Sequence, residues 1–416
     1  MRTIKSFFLG IVLGIIPCVA FAQNSTNSPY TYYGYGNIAD KAFISQRGMG
    51  GIGYGLRNSQ MINPMNPASF SAVDSMTFMF DFGVTGQVTW MKEGGEQDRR
   101  LNGNLEYIAM QFPLAKKLGF GAGFEPVSNV GYKFAETKPL IEVEGQYFQE
   151  INVGTGGLSK VYGVLSYDFL SKISVGAKLS YLFGDIKREQ TASVNVSGAS
   201  SGVETTTLRA YGLLYDFGLQ YHQAVGKFQT VTIGAIYSPK TRFGAKVMKD
   251  LISSGSVDVI DTVFHGLKFE MPETYGLGIT YNKLGKLTVG ADVLYQRWAD
   301  VNFYDQTDAF YNRLKFNAGG EYIPNRTSSG LLNKMQYRAG LSYSNSYLKV
   351  RDSKHNEYGV NLGLGIPMPD RRSSLNLAFE YSLVRPEHKN SLSEQYFKVS
   401  LSYTFNEIWF FKRKVQ

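Results

Sequence analysis

The sequence predicts an all-β protein: a membrane-spanning antiparallel β-barrel of about fourteen strands, preceded by an ordered but irregular N-terminal unit. The first observation is alternation: in segments such as 375–383 and 397–405 every second residue is apolar. A strand points successive side chains to opposite faces, so one face would meet hydrocarbon and the other a wet interior. The second is an aromatic content of 14% without an apolar run long enough for a spanning helix. The third is an alternation of short and long connections, typical of outer-membrane barrels.

Residues 1–22 predict a cleaved secretory signal peptide. They contain basic Arg2 and Lys5, an apolar run at 7–16 and a small-residue cleavage site at 20–22. This order of basic, apolar and small residues is that of an export signal. We therefore expect the mature chain to be delivered to the outer membrane of a Gram-negative cell.

The chain has a single cysteine, Cys18, which lies within the predicted signal. Pro17 before it does not fit a lipoprotein processing site, so we expect no lipid anchor. Without Cys18 the exported chain has no thiol, which excludes disulfides, thiol catalysis and cysteine metal sites. The formal net charge is +9, but the charges are spread out. Nucleic acid is therefore not an expected partner, and we expect no cofactor.

Residues 23–73 do not alternate, and we assign them to an ordered, irregular unit that packs against the rest of the chain. Glycine and proline are too dense there for regular strands or helices, but the segment is too apolar for a disordered tail. Residues 48–53 read G-M-G-G-I-G, with glycines at Gly48, Gly50, Gly51 and Gly53. This matches a dinucleotide-binding pattern, but the preceding strand and following helix of such a site are not evident. Close backbone packing is the favoured interpretation.

Residues 74–406 form the predicted barrel, and residues 407–416 a basic periplasmic tail, in which we expect residues 409–411, starting with Trp409, to lie at the membrane interface. An even strand count returns the chain to the side where it started. We expect long outer connections at 91–103, 137–145, 249–261 and 301–310. The predicted strands are 75–90, 104–114, 119–136, 146–168, 172–195, 204–224, 228–248, 262–283, 286–300, 311–322, 335–350, 356–367, 374–385 and 394–406.

Glu125 and Pro126 interrupt the third predicted strand. Proline removes a ladder donor and belongs at edges or bulges, so in a closed barrel it forces a kink. Two interpretations follow: a simple bulge, or an opening in the barrel wall.

Alternation also predicts charged side chains of both signs on the lumen face. Buried charges need partners or water. They would be structural ion pairs that brace the lumen or hold the N-terminal unit, or else a polar track or a site for an anionic head group. The residues are Lys178, Asp292, Lys315, Glu321, Arg338, Glu380 and Lys398.

The sequence does not predict an enzyme. Its four histidines lack metal-ligand spacing. His265 and His388 are expected near the outer rim, but no nucleophile or orienting group is marked beside them. We therefore predict no metal site and no catalytic residue, and a barrel hydrolase is the least favoured function. A soluble β-sandwich is the alternative fold, against which the strand count, the loop asymmetry and the aromatic content all argue.

The glycine-rich run that leads to Asn63-Pro64 and then Asn66-Pro67-Ala68, just before the first strand, resembles the hatch of the FadL/TodX family. These are outer-membrane transporters for long-chain fatty acids and other hydrophobic compounds. The resemblance implies a fourteen-stranded barrel with a kink in the third strand, and it makes residues 23–73 an N-terminal hatch that plugs the lumen. It also implies passive transport: capture at the outer loops, passage through a lumen pocket, hatch movement and lateral release into lipid near the kink.

Two other functions remain open. Some FadL-like barrels resemble type IX secretion shuttles or other protein-binding outer-membrane components, and a structural or adhesin-like barrel is a third possibility. The expected partners are outer-membrane lipids, a hydrophobic small-molecule ligand and the barrel-assembly machinery during biogenesis. The oligomeric state is left open.

Overall fold

The computed structural model describes residues 26–139, 147–194, 201–253, 259–350, 353–370, 372–388 and 391–409. The predicted signal peptide at 1–22 and residues 410–416 of the predicted tail lie outside these ranges.

Fourteen antiparallel strands form one closed sheet, which confirms the predicted barrel. The barrel closes because the last strand pairs with the first, from Ser393↔Lys92 to Ile408↔Thr77. The strands are β1 (Thr77–Glu93), β2 (Glu96–Ala115), β3 (Leu118–Pro139), β4 (Tyr147–Phe169), β5 (Ile173–Val194), β6 (Gly202–Gly226), β7 (Gln229–Ser238 and Thr241–Ser253), β8 (Val259–Phe264, Phe269–Met271 and Thr274–Lys283), β9 (Leu287–Gln296), β10 (Arg313–Tyr322), β11 (Gln336–Asn345), β12 (His355–Pro367), β13 (Ser374–Pro386) and β14 (Ser393–Ile408).

The two ends of the barrel differ in their connections. β1 begins and β14 ends at the side of the short turns, such as the one between Ala115 and Leu118. Outer-membrane barrels keep short turns on the periplasmic side, so we call this end periplasmic and the opposite end outer. Trp409 follows β14 there, and its ring stacks on Phe78 with centroids 4.2 Å apart.

Two predicted outer loops are strands instead. Residues 91–103 belong to β1 and β2, which turn at Gly94 and Gly95 in left-handed backbone conformations. Most of 249–261 lies in β7 and β8. The prediction failed there because both faces of a strand beyond the hydrocarbon meet water. The apolar alternation then disappears while the hydrogen-bonded ladder continues.

Two strands predicted as continuous are broken. The predicted strand 228–248 is interrupted at Pro239 and Lys240, and the predicted strand 262–283 is interrupted twice, the second time at Pro272 and Glu273. Proline has no N–H for the ladder. The alternation continues across both prolines and conceals the breaks.

The outward face of the barrel is apolar and the inward face polar. Leu277, Leu341 and Leu362 point outward and are more than half exposed, whereas Thr280 and Ser400 point inward and are buried. This is the reverse of a soluble protein and fits a wall that faces lipid. Among the described residues, no helix combines the length and hydropathy needed to cross a membrane.

Irregularities follow one another across neighbouring strands on one side of the wall. In β3 the register shifts at Pro126, so that Val127 is an extra residue. In β4 and β5, Gly157 and Gly184 have positive φ, and a Cβ on either would lie 2.3 Å from a carbonyl oxygen of the preceding strand. The breaks in β7 and β8 continue the series. The ladder is thus irregular along a line from β3 to β8.

The β4 glycines give a test of whether this irregular backbone requires glycine. Gly156 has a φ of +100°, and a Cβ there would lie 2.1 Å from the Asp185 carbonyl oxygen. We expect Gly156→Val to lower the free energy of unfolding by about 1–3 kcal/mol through backbone strain, measured by denaturant unfolding in detergent.

Gly163→Val is the matched control on the same strand, because a Cβ at Gly163 meets nothing within 4 Å. Equal unfolding midpoints for the two variants would contradict the proposed constraint.

Candidate functional site

The N-terminal segment, residues 26–73, lies inside the barrel. Its short strand Asn37–Ile38 pairs with Asn129 and Ser128 of β3. The helical turn Ile44–Arg47 is fully buried. Glycine and proline keep the rest irregular, as the sequence predicts. The segment therefore fills the lumen and takes its shape from the wall around it.

The glycines of residues 48–53 lie against the backbone of the wall. A Cβ on Gly48 would lie 3.0 Å from the Cα of Gly363, and one on Gly50 2.7 Å from the carbonyl oxygen of Ala318. Asn317 donates to the Gly51 carbonyl oxygen over 2.8 Å. Side chains at these positions would push the segment off the wall, which gives the glycine run a packing role.

Asn63 and Pro64 hold the segment to itself and to the wall. The Asn63 amide donates to the carbonyl oxygens of Gly53 (2.7 Å) and Leu56 (2.9 Å). The Pro64 carbonyl oxygen accepts from Lys178 Nζ over 3.3 Å. The first Asn-Pro step thus anchors the chain reversal after the glycine run.

Asn66 begins the short helix Pro67–Ala72, because its side chain accepts from the Ala68 N–H. Its amide donates to the carbonyl oxygens of Tyr54 (2.8 Å) and Leu219 (3.2 Å), the second of which belongs to β6. The Ala68 carbonyl oxygen accepts from Ser166 Oγ of β4 over 2.8 Å. Pro67 packs against Gly176 of β5. The second Asn-Pro step therefore fixes the periplasmic end of the segment to three wall strands.

Besides Lys178, two of the predicted lumen charges bind the segment, from β9 and β10. Asp292 accepts from the N–H groups of Gly53 (2.6 Å) and Tyr54 (2.9 Å). Lys315 Nζ lies 2.6 Å from Asp40 Oδ2. Enclosure in the barrel would raise the pKa of Asp40, but the Lys315 ammonium and the Arg47 guanidinium hold that pKa below its usual range. Asp40 therefore stays ionised at neutral pH and keeps the pair.

The four remaining predicted charges, Glu321, Arg338, Glu380 and Lys398, lie on the wall. Arg338 Nε is 2.8 Å from Glu321 Oε2, which joins β10 to β11. Glu380 accepts from Ser400 Oγ over 3.3 Å, and it lines a polar cavity of about 130 Å³ together with Lys398. This cavity separates the wall from the middle of the N-terminal segment.

Five charged groups meet beside the kink of β3, and we call them the kink cluster. Glu125 Oε1 lies 3.0 Å from Lys160 Nζ and 3.3 Å from Lys178 Nζ. Asp216 completes the cluster, 3.2 Å from Lys41 Nζ and within 4 Å of both wall lysines. Since Lys41 belongs to the N-terminal segment, the cluster links the kink directly to that segment. Lys160, Asp216 and Lys41 carry no sequence signal that marks them.

β2 and β3 separate above the kink. Their ladder runs from Ala115↔Leu118 to Ile108↔Phe124 and stops there. Beyond it, the outer part of β2 pairs with β1 alone, while β3 pairs with β4 and the strand Asn37–Ile38. We call this separation the wall gap. The interruption predicted at Pro126 is therefore a bulge that stands beside a separation of two strands.

The beginning of the N-terminal segment bridges the wall gap. Asn27 donates to Asn102 Oδ1 of β2 over 3.2 Å, and the Ser28 N–H donates to the Gly131 carbonyl oxygen of β3 over 2.7 Å. A cavity of about 640 Å³ lies against this bridge, lined by both edge strands. Residues such as Arg100 and Lys133 line it from the two sides.

An aromatic cap closes the outer half of the lumen. Trp298 and Phe310, in the connection between β9 and β10, pack against Tyr35 with ring centroids about 6.1 Å away. The remaining members of the cap are Phe243, Phe269, Phe303 and Tyr347. The outer connection predicted at 301–310 instead folds inward, and its aromatic residues are the sequence signal for this.

A model of the family described as BamG matches residues 3–416 of the chain. No curated protein matches the sequence. Among solved structures, the Ralstonia pickettii toluene transporter TbuX has a TM-score of 0.57 and 17% identity over 88% of this chain and 98% of its own. A Pseudomonas aeruginosa FadL homologue has a TM-score of 0.62 and 14% identity over 89% and 99%. The Pseudomonas putida toluene transporter TodX has 0.59 and 16% over 90% and 100%. The predicted resemblance to FadL and TodX is thus confirmed for the fold.

The kink cluster gives a test of the link between kink and segment. Glu125→Gln removes one of its two carboxylates and leaves three ammonium groups facing Asp216 alone. Because an unpaired buried charge is costly, we expect the free energy of unfolding to fall by about 3 kcal/mol, measured by denaturant unfolding in detergent.

The second variant, Glu125→Gln with Lys160→Gln, restores the net charge of the cluster. Its free energy of unfolding should fall by less than the sum of the decreases that Glu125→Gln and Lys160→Gln cause separately. Glu189→Gln is the control, since Glu189 forms an exposed pair with Lys187 and should change stability by less than about 0.5 kcal/mol. Additive effects of the two cluster substitutions would show that the groups act separately.

Proposed function

The chain belongs to the BamG family, and we propose that it is an outer-membrane channel that passes hydrophobic compounds passively. The observation that carries this proposal is the wall gap, where the N-terminal segment bridges two separated strands through Asn27 and Ser28. A lateral opening of this kind joins a lumen to the lipid around the barrel. It suits a compound whose destination is the membrane.

The fold relatives support the same class of compound. TbuX and TodX are described as toluene transporters, and CymD as a monoaromatic hydrocarbon channel. The apolar outward face supports an outer-membrane location for this chain, in agreement with the predicted export signal. We assign the chain a passive transport role and no catalytic residue.

The aromatic cap is the proposed capture site on the outer side. A hydrophobic compound gains free energy when it leaves water for an apolar environment. Aromatic rings offer it large contact areas without buried charge. In the closed state the rings of Tyr35, Trp298 and Phe310 fill this space against one another. The compound would displace Tyr35, which belongs to the N-terminal segment.

Displacement of Tyr35 would pull on the bridge in the wall gap. Tyr30 and Tyr35 belong to one apolar cluster with Val130 and Tyr132 of β3. Movement of residues 26–38 would therefore free the gap and let the compound leave sideways into lipid. The N-terminal segment acts as a hatch in this scheme, and long-chain fatty acids and monoaromatic hydrocarbons are the candidate compounds. Outer-membrane lipids receive the compound, and the barrel-assembly machinery inserts the barrel during biogenesis.

A reversible cross-link tests the bridge directly. The one cysteine of the chain, Cys18, lies in the predicted signal, so Asn27→Cys with Asn102→Cys places the sole thiols of the mature protein across the bridge. A cleavable bismaleimide should abolish uptake of radiolabelled toluene or oleate by cells, because the segment can no longer leave the gap. Cleavage of the linker should restore uptake.

The control is Glu204→Cys with Lys249→Cys, a pair that faces across the outer part of the β6–β7 ladder with charged atoms 2.8 Å apart. Its cross-linking should leave uptake unchanged. The proposal fails if the cross-linked bridge transports normally, or if the barrel transports neither compound and instead captures secreted proteins.

The capture step has its own test. Trp298 is buried in the cap, whereas Trp409 lies at the periplasmic end against Phe78. Trp298→Ala removes a large part of the proposed contact area and should weaken toluene binding about tenfold, which corresponds to roughly 1.4 kcal/mol. Binding is measured by titration calorimetry in detergent.

Trp409→Ala is the matched control and should bind toluene as tightly as the unaltered protein. An equal loss of toluene affinity in the two variants would show a general destabilisation of the barrel and would remove the cap from the proposed route.

A further inference from the structure

The wall has a second interruption, between β6 and β7. Their ladder runs along the periplasmic half to Phe217↔Tyr237 and resumes toward the outer end at Tyr211↔Gly244. Pro239 lies between these pairs and has no N–H to donate. The Ser238 hydroxyl donates to Asp216 there, so a side-chain contact stands where the ladder is missing.

β8 breaks beside β7. Met271 pairs with Thr241, Thr274 pairs with Ser238, and Pro272 lies between them. A pocket of about 80 Å³ lies at the joint break. A single water needs roughly 10–15 Å³ by this kind of measure, so the pocket has room for a short chain or a ring.

The pocket reaches from the outer surface of the barrel to the N-terminal segment. Tyr215 lines it and belongs to an exposed outward row with Leu213 and Phe217. Ile38 and Lys41 of the N-terminal segment line its inner end. Its walls thus continue the lipid-facing surface inward.

Its walls are mainly hydrocarbon, and its inner end is charged. Leu214, Met271 and Trp298 contribute apolar surface, together with Val127 beside the kink of β3. Lys41 and Asp216 at the inner end belong to the kink cluster. An occupant would therefore touch the ion pair that ties the N-terminal segment to β6.

We propose that this break is a second binding site, separate from the wall gap, for the hydrocarbon part of a compound dissolved in the outer leaflet. The continuity between the exposed row and the pocket argues for an occupant that arrives from lipid, since an apolar group can pass from one apolar surrounding to the other without the cost of exposure to water. Binding here requires no transport, so the site stands apart from the proposed function.

Photolabelling tests the site. The barrel is reconstituted in phosphatidylcholine vesicles whose lipids carry a diazirine near the end of one acyl chain, and modified residues are mapped by mass spectrometry. We expect labelling of inward-facing Leu214 and of Met271, in addition to the outward belt. Leu214→Trp fills the pocket and should abolish the label on Met271.

Two variants separate pocket filling from misfolding. Leu219→Trp places the same ring on the same strand but on the exposed lipid-facing side, and it should retain the label on Met271. Leu214→Ala enlarges the pocket and should increase that label. Labelling confined to outward residues in the unaltered protein, or a label on Met271 that survives Leu214→Trp, would overturn the site.

A second arm uses a free uncharged octyl diazirine in vesicles of unlabelled phosphatidylcholine. Labelling of Met271 by the lipid probe supports an acyl chain as occupant. Labelling of Met271 by the free probe alone contradicts an acyl chain as occupant and assigns the pocket to a small hydrocarbon. Toluene uptake is measured on the same variants, so that a labelled pocket in a protein without uptake separates the fate of this site from that of the proposed function.

Discussion

A barrel wall in lipid must satisfy its own backbone hydrogen bonds, and the N-terminal segment does this where the wall cannot. β2 and β3 separate above Ile108↔Phe124, which leaves edge groups that hydrocarbon cannot hydrate. The strand Asn37–Ile38 pairs with β3 at that point, and the Ser28 N–H donates to Gly131. The opening and the segment that fills it are therefore one structural unit.

The need to pair every buried polar group also explains the charged interior. Buried ion pairs contribute little net stability because desolvation offsets their attraction. Loss of one member is nonetheless costly, since the partner remains buried and unpaired. In the kink cluster, this cost favours the one arrangement in which Glu125, Lys178 and Lys41 all keep their partners over arrangements that leave one of them unpaired.

The sequence was a good guide wherever one face of a strand meets lipid. Leu375 to Leu383 alternates because the membrane demands it, and the strand lies where the alternation predicts. The rest depended on contacts between distant segments. Asp216 pairs with Lys41 across 175 residues, a pairing that no local pattern encodes. Pro239 and Pro272 were visible in the sequence, but the alternation on both sides concealed their effect on the ladder.

The proposed transport route requires that a hydrophobic compound opens the wall gap. The most direct measurement is the distance between spin labels on Arg100→Cys and Lys133→Cys, which line the gap from β2 and β3, with and without bound toluene. We expect a longer and broader distance distribution with toluene, while labels on Glu204→Cys and Lys249→Cys keep their distance distribution unchanged. An unchanged distance across the gap in a protein shown to bind toluene would contradict it.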